Sequence, residues 1–142
     1  MTAYDPGNIF AKILEGTIPS HKVYEDDDVL VIMDVMPQAS GHALVIPKAP
    51  SRNLLDADPM TLGAVIATVQ RIARASKAAF KADGITINQF NEAAGGQSVF
   101  HLHFHVIPRH DGMGLKAHTG QMEDQTVLAD NCAVLKSALD AL

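Results

Sequence analysis

Three histidines recur at every second position in the segment His101-Leu102-His103-Phe104-His105-Val106-Ile107. Because the side chains of a β-strand alternate between its two faces, this spacing predicts a strand with all three imidazoles on one face. The apolar residues between them then point to the other face. Imidazole titrates near neutral pH and serves as a nucleophile, a proton carrier or a metal ligand. The motif is therefore the candidate centre of the protein's chemistry.

Three interpretations of the motif differ in chemistry. Purely structural histidines explain a single such residue better than three in register. A metal site would use neutral imidazoles at these positions, with His110 and His118 of the following loop as possible further ligands. A nucleophilic site would let one ring nitrogen attack a phosphoryl centre while a partner keeps the other nitrogen protonated. The preceding segment, residues 95–98, favours this third interpretation because its glycines expose backbone N–H groups to a phosphate.

Composition limits the fold and the partners. The 142 residues are 47% hydrophobic, which is enough for one domain over residues 1–142. The net charge of −5 argues against nucleic acid and anionic membranes as partners. No apolar run approaches the ~18 residues of a membrane span, and the first residues do not resemble a signal peptide. Cys132 is the single cysteine, so no intrachain disulfide is expected. We expect a cytoplasmic protein.

Short strands and helices are predicted to position the histidines. Besides the histidine strand, the pattern predicts strands over residues 22–25, 29–35, 42–47 and 85–90. A short helix over residues 9–14 ends near Gly16, and a C-terminal helix covers about 125–141. Asp58-Pro59 begins a long helix that ends at Gly84; its predicted apolar stripe consists of Leu62, Ile66, Val69 and Ala73. These elements predict an α+β fold: an antiparallel sheet of about five strands with a long helix and short terminal helices packed on it.

Several further segments accompany the histidine motif in a fixed order. They are residues 8–13, 18–19, 23–27, 34–39, 41–48, 91–92 and 96–98. With His101-x-His103-x-His105 and Val106-Ile107, they resemble the histidine triad family of nucleotide hydrolases and transferases over residues 8–110. The chain looks like the compact nucleotide-binding, protein kinase C inhibitor-like branch. Ile107-Pro108-Arg109 also resembles the dinucleoside polyphosphate hydrolases.

The resemblance implies catalytic roles for five residues. His103 matches the family nucleophile, which attacks the α-phosphorus and becomes transiently nucleotidylated. His105 matches a residue that contacts the α-phosphate. His101 matches a supporting histidine that is linked to His42 by a hydrogen bond. Ser98 matches a hydroxyl near the leaving group, where it helps to protonate a departing amine.

The resemblance also implies a nucleotide pocket. Asp34 matches the carboxylate that binds both ribose hydroxyls, and a carboxylate that ends an apolar strand is costly without partners. Asn91 matches a contact to the α-phosphate, and Gln97 a residue near the phosphate and the leaving group. The apolar slot for the purine is matched by Ile9, Phe10, Ile13, Ile32, Val35 and Leu44. Residues of this slot are also good candidates for ordinary core positions.

The implied activity is hydrolysis or nucleotidyl transfer at the α-phosphate of a purine nucleotide of the AMP type, such as an adenosine phosphoramidate. Two alternatives remain: a dinucleoside polyphosphate hydrolase, or a nucleotide-binding interaction protein with vestigial catalysis. The resemblance further implies a homodimer. Some bacterial relatives carry a zinc-binding Cys-x-x-Cys pair where this chain has Asn8 and Ala11, so neither a metal nor a cofactor is expected.

Overall fold

The architecture is a single antiparallel sheet covered by helices. The computed structural model describes residues 2–118 and 121–142. Its strands are β1 (Lys22–Glu25), β2 (Val29–Met33), β3 (Ala43–Pro47), β4 (Gly84–Asn88) and β5 (Phe104–Arg109), and its α-helices are α1 (Ile9–Glu15), α2 (Pro59–Ala79) and α3 (Gln125–Asp140). The five strands lie in the order β1-β2-β3-β5-β4. This arrangement confirms the predicted α+β class.

The two faces of the sheet carry different cores. Along β2, Val29, Val31 and Met33 point into the larger cluster, which also contains buried residues of α2 and α3. The residues between them, Leu30 and Ile32, point to the opposite face. There they form a second cluster together with Phe10, Ile13, Leu44 and Ile46. The α2–α3 face is thus a conventional core, while the α1 face holds a smaller apolar cluster beside the histidines.

The ends of α1 follow their sequence signals. The Asn8 side-chain oxygen accepts a hydrogen bond from the Ala11 N–H at 2.9 Å, which caps the first turn. Gly16 ends the helix in the left-handed region at φ 85°. Asn8 and Ala11, the positions that the resemblance matches to a Cys-x-x-Cys pair, are therefore joined here by a capping bond.

The long helix starts where the sequence predicts and ends earlier. Asp58 caps its N-terminus and Pro59 is its first residue, but α2 ends at Ala79, and Gly84 begins β4. The predicted stripe is also partly wrong, since Ile66 is 51% exposed. The buried face instead centres on Val65, Val69, Ile72 and Ala75. Successive residues of a helix are rotated by about 100° about its axis. The predicted stripe has Ile66 and Ala73 where the buried face has Val65 and Ile72, and this shift of one residue turns Ile66 toward solvent. None of the described helices has the length and apolar content that a membrane span requires.

β1 has its predicted bounds, whereas the other four strands are shorter than predicted, and the difference matters most at the histidines. β2 ends at Met33, β3 starts at Ala43 and β4 covers Gly84–Asn88. The expected strand from His101 begins only at Phe104, which pairs with Val45 of β3. Extending this register would place Leu102 opposite Pro47, which has no N–H to give to a ladder. The Leu102 N–H bonds instead to the Ser51 carbonyl at 2.9 Å.

Gly41, directly before His42, is a position where a methyl group does not fit. Its φ is +88°, and an added Cβ would lie 2.6 Å from the ring of Phe80. Gly16 has a similar φ of +85° with nothing within 4 Å of the corresponding Cβ, so it is a matched control. We expect Gly41→Ala to lower the free energy of unfolding by about 1–3 kcal/mol more than Gly16→Ala, because only Gly41 adds overpacking to the backbone strain. Urea denaturation of both variants measures this difference, and equal losses would contradict it.

Candidate active site

The three histidines lie on the α1 face of the sheet, at the entrance to β5. All are buried, and His103, the most accessible, is 8% exposed. Leu102, Phe104 and Val106 belong to the core cluster of the other face. The alternation predicted from the sequence therefore holds through residue 106, although His101 and His103 precede the strand itself.

His103 presents one ring nitrogen as a free base. Its Nδ1 lies 2.7 Å from the carbonyl oxygen of His101, so Nδ1 carries the proton and donates it to that oxygen. In the neutral ring, Nε2 then holds a lone pair. The ring of Phe10 meets the imidazole edge-on, with centroids 4.8 Å apart. Burial lowers the pKa of His103, which keeps the ring neutral at neutral pH.

A chain of hydrogen bonds sets the opposite tautomer at His105. The Gln38 N–H donates to Nδ1 of His42 at 3.1 Å, so the proton of neutral His42 resides on Nε2. That Nε2–H donates to Nδ1 of His105 at 2.9 Å. His105 is therefore protonated on Nε2 and offers an N–H donor. Burial lowers the pKa of His42 to about 4 and that of His105 to about 3, so both rings are neutral.

His101 is held from both sides, but not by His42. Its Nε2–H donates to the Pro47 carbonyl at 2.7 Å. The Tyr4 hydroxyl donates to its Nδ1 at 2.7 Å and in turn accepts a bond from Asn8. The predicted hydrogen bond between His101 and His42 is wrong, because both ring nitrogens of His101 have other partners and His42 bonds to His105.

The carboxylate of Asp34 faces the same cluster. Oδ1 accepts the Met36 N–H at 2.9 Å, while Oδ2 lies 2.6 Å from His118 Nε2 and 3.4 Å from His42 Nε2. Burial raises the pKa of Asp34, but the bond from His118, the nearby His42 and the Met36 N–H together hold it below its usual value. The bond to Asp34 raises the pKa of His118. Asp34 and His118 therefore favour their charged forms as a pair.

Four groups near Asp34 resemble a metal-ligand set. Among the described residues, Asp34, His42, His105 and His118 bring candidate ligand atoms within 4.8 Å of one another. A metal-bound imidazole donates its second ring N–H to an acceptor. His42 has the reverse arrangement: its Nδ1 faces the Gln38 N–H, so Nε2 carries a proton and has no lone pair for a metal. The bonding suits a hydrogen-bond chain better than a metal centre, and a metal-free protein stays a prediction.

The structure unites four of the six residues predicted to form the purine slot. Phe10, Ile13, Ile32 and Leu44 lie in the α1-face cluster. Val35 packs against the α2–α3 core instead, because it follows Asp34 and alternation turns it to the other face. Ile9 is 46% exposed and lines an open pocket of about 400 Å³ with Ser98 and Val99.

The side chain of Gln97 has no capacity left for a substrate. Its Oε1 accepts from Asn53 Nδ2 at 3.0 Å and from the Glu92 N–H at 2.8 Å. Its Nε2 donates to the carbonyls of Arg52 and Val99. An amide side chain has two donors and two acceptor positions, and all are used. The hydrogen bonds of Gln97 therefore stabilise the loop before the histidines, and its amide is not available to bind a phosphate.

Asn91 and Ser98 differ in their availability. The Asn91 side chain exchanges hydrogen bonds with Gln89 and accepts the Leu54 N–H at 3.0 Å, so its amide is engaged with protein. Ser98 is exposed at the open pocket. Of the loop residues predicted to act, Ser98 is the one whose hydroxyl is accessible.

Sequence reasoning missed two residues of the site. His118 was considered only as an extra metal ligand, and Tyr4 was not considered at all. His118 is distant from the motif in sequence, yet its ring lies 5.3 Å from that of His105. Tyr4 stands out in the sequence as a polar aromatic residue before the first helix, but no periodic pattern links it to His101.

Comparison with known proteins agrees with this geometry. The family model described as the HIT domain matches residues 15–112. The chain belongs to the HIT family. This membership supports a nucleotide-binding hydrolase or transferase at the level of the family, without specifying the substrate.

Relatives in the HIT family cover most of the chain. The crystal structure of a Hit-like protein from Bartonella henselae has a TM-score of 0.90 and 57% identity, covering 96% of this chain and 99% of that one. A HIT-like protein of Borreliella burgdorferi, of uncharacterised function, is 46% identical over 112 residues, which are 76% of this chain and 81% of its own. The adenylylsulfatase HINT3 of Arabidopsis thaliana is 40% identical over 101 residues, 71% of this chain and 51% of its own.

Proposed function

We propose that this protein hydrolyses purine nucleotides that carry a leaving group on the α-phosphate, with adenosine phosphoramidates as the model substrate class. The reaction proceeds through a nucleotidyl intermediate on His103. The observation that carries the proposal is the opposite tautomers of two neighbouring rings. His103 has a lone pair on Nε2, whereas His105 has a proton on Nε2. One ring is thus arranged as a nucleophile and the other as a donor to a phosphate oxygen.

The chemistry takes place in two balanced steps. In the first, Nε2 of His103 forms a bond to the α-phosphorus while the bond from phosphorus to the leaving nitrogen breaks. The departing amine takes a proton from solvent, relayed by the exposed hydroxyl of Ser98. In the second, water attacks the same phosphorus, the bond to His103 breaks, and the nucleoside monophosphate leaves with one proton of the water released. Positive charge on the His103 ring during attack is stabilised by the His101 carbonyl oxygen, which lies 2.7 Å from Nδ1 and accepts its hydrogen bond.

In this proposal the ribose and the purine of the substrate bind on the α1 face of the sheet. Asp34 accepts the ribose hydroxyls, since a carboxylate supplies acceptors for two donors. The purine lies against the apolar cluster that contains Phe10, Ile13, Ile32 and Leu44. This assignment is supported by the shared face: Asp34 follows Ile32 by two positions on the strand side that also carries the histidines.

The pH profile follows from the buried state of His103. Because burial lowers its pKa, the nucleophilic neutral form persists at a pH below the ordinary histidine range near 6.5. We expect the acid limb of the kcat/KM profile to have its inflection below pH 6.5, the ordinary value for histidine. A profile of kcat/KM for a phosphoramidate substrate tests this, with a parallel unfolding assay at each pH. An inflection at or above 6.5 would contradict a neutral, buried nucleophile.

The deciding experiment compares three substrates that share adenosine and an α-phosphate. They are an adenosine phosphoramidate, adenylyl sulfate and diadenosine tetraphosphate, each assayed with and without a chelator. We expect chelator-resistant release of AMP, fastest with the phosphoramidate. A preference for diadenosine tetraphosphate would favour the polyphosphate hydrolase alternative. Binding of AMP without turnover of any substrate would favour an interaction protein, and loss of turnover on chelation would favour a metal site.

We further propose that residues 1–142 form one domain that acts as a cytoplasmic homodimer. β4 is an edge strand of the sheet, and Ile87 on it is 48% exposed. Met60 and Ile66 of α2 are also exposed. A strand edge without a partner among the described residues suits pairing with a second copy, and the exposed apolar side chains add surface for that copy to cover. Light scattering of the purified protein gives its mass in solution, and a monomer at all concentrations would contradict the dimer.

A further inference from the structure

The chain returns over the candidate active site after β5. In this return segment, residues 111–118, the Lys116 N–H donates to the Gln38 carbonyl at 2.8 Å and the Lys116 carbonyl accepts from the Gln38 side chain. Further on, the Glu123 N–H donates to the Val35 carbonyl at 2.8 Å. The backbone is thus fastened beside the turn that follows Asp34. The consequence is that the side chain of His118 lies directly on the Asp34 carboxylate.

His118 uses the acceptor that a ribose needs. Its Nε2–H donates to Asp34 Oδ2 at 2.6 Å, and Oδ1 already accepts the Met36 N–H. Asp34 is only 5% exposed, whereas the His118 side chain is 31% exposed. His42, the other imidazole near Oδ2, is fully buried. Of the two imidazoles near Oδ2, His118 is therefore the partly exposed one.

We propose that His118 occupies the place of the ribose hydroxyls at Asp34 and swings away when a nucleotide binds, so that it sets the affinity for ribose. This inference rests on the proposed function, in which Asp34 binds the ribose. A carboxylate has about four acceptor positions. The Met36 N–H and His118 occupy one position each, and His42 Nε2 lies 3.4 Å from Oδ2. The ribose hydroxyls therefore compete with His118 for the positions that remain. Part of the binding free energy of the nucleotide is spent on breaking the Asp34–His118 bond.

The test compares AMP with 2′,3′-dideoxy-AMP by isothermal titration calorimetry. His118→Ala removes the competitor and is expected to lower the Kd for AMP about tenfold. The nucleotide then no longer has to break a charged hydrogen bond to Asp34 in order to bind. The dideoxy nucleotide has no hydroxyls for Asp34, so its affinity is expected to change less than twofold. His118→Gln keeps a donor within reach of Asp34 and is expected to resemble the wild type. His21→Ala, a histidine outside the site, is the matched control for an ordinary histidine-to-alanine change.

The possible results separate this inference from the proposed function. Unchanged or weaker AMP binding by His118→Ala would overturn the competition, since His118 would then be neutral or a direct ligand of the nucleotide. An equal gain for AMP and the dideoxy nucleotide would overturn it as well, because the effect would not pass through the hydroxyls. If the wild type and every variant fail to bind AMP, both this inference and the proposed function are wrong.

Discussion

His103→Ala is expected to lower kcat for an adenosine phosphoramidate by about 10⁴-fold or more, the scale seen when an enzyme loses its nucleophile. The affinity for AMP is expected to change less than about threefold, because the proposed ribose and purine contacts lie elsewhere on the α1 face. The physical reason is the lone pair on Nε2. No described neighbour of His103 replaces it, since His105 and His42 hold protons on the ring nitrogens that would otherwise serve.

Single-turnover kinetics with a substrate labelled on the α-phosphate tests whether His103 is the nucleophile. Wild-type protein quenched in alkali during turnover, where the P–N bond survives, is expected to carry one label on a histidine, and His103→Ala none. His21→Ala serves as the control, because the His21 side chain bonds to Gln125 and lies outside the site. Substantial turnover by His103→Ala would refute the covalent mechanism, whereas loss of AMP binding would indicate that His103 also holds the ground state.

His42→Ala is the second variant with a large expected effect, although His42 does not touch the substrate in the proposed mechanism. His42 is a positioning residue: its Nε2–H occupies Nδ1 of His105 and so keeps the His105 proton on Nε2. Without it, the proton of His105 is free to move to Nδ1, and the ring then turns a lone pair toward a phosphate oxygen. Loss of one such donor costs about 10²–10³ in kcat.

A rescue variant distinguishes this tautomer effect from a packing defect. His42→Gln places an amide N–H near the position of the original Nε2–H, so it is expected to recover kcat to within about tenfold of the wild type. Nitrogen NMR of the His105 ring supplies a direct signature: Nε2 protonated in the wild type and the glutamine variant, and Nδ1 partly protonated in the alanine variant. Equal kcat losses in two folded variants with an unchanged His105 spectrum would contradict the positioning role.

The sheet and its contents were accessible to sequence reasoning because their signals are local. The period of two in residues 101–107 assigned the histidines to one face and Leu102, Phe104 and Val106 to the other, and the structure agrees. Asp58-Pro59 and Gly16 are capping signals that depend on a few neighbouring residues, and both helices begin or end there. These patterns can be interpreted from the sequence because the interactions behind them involve residues within one helical turn or one strand.

The ends of strands and the buried faces of helices were harder to predict, because they depend on residues of neighbouring elements that are distant in sequence. The histidine strand begins at Phe104 because Pro47, on the neighbouring strand, cannot extend the ladder. The buried stripe of α2 is set by which of two apolar faces meets the sheet, so Ile66 was misplaced. Val35 was assigned to the purine slot, yet the alternation after Asp34 packs it into the other core.

Residue types and local spacing were enough to indicate the class of fold, the face that carries the histidines and the family resemblance. The proton positions were not accessible in this way. Each is set by a group far away in sequence or by the backbone: the Gln38 N–H at His42, the Pro47 carbonyl and Tyr4 at His101, and His118 at Asp34. A tautomer depends on which atom lies within 3 Å of a ring nitrogen, and that distance exists only once the strands, the N-terminal segment and the return segment have packed together.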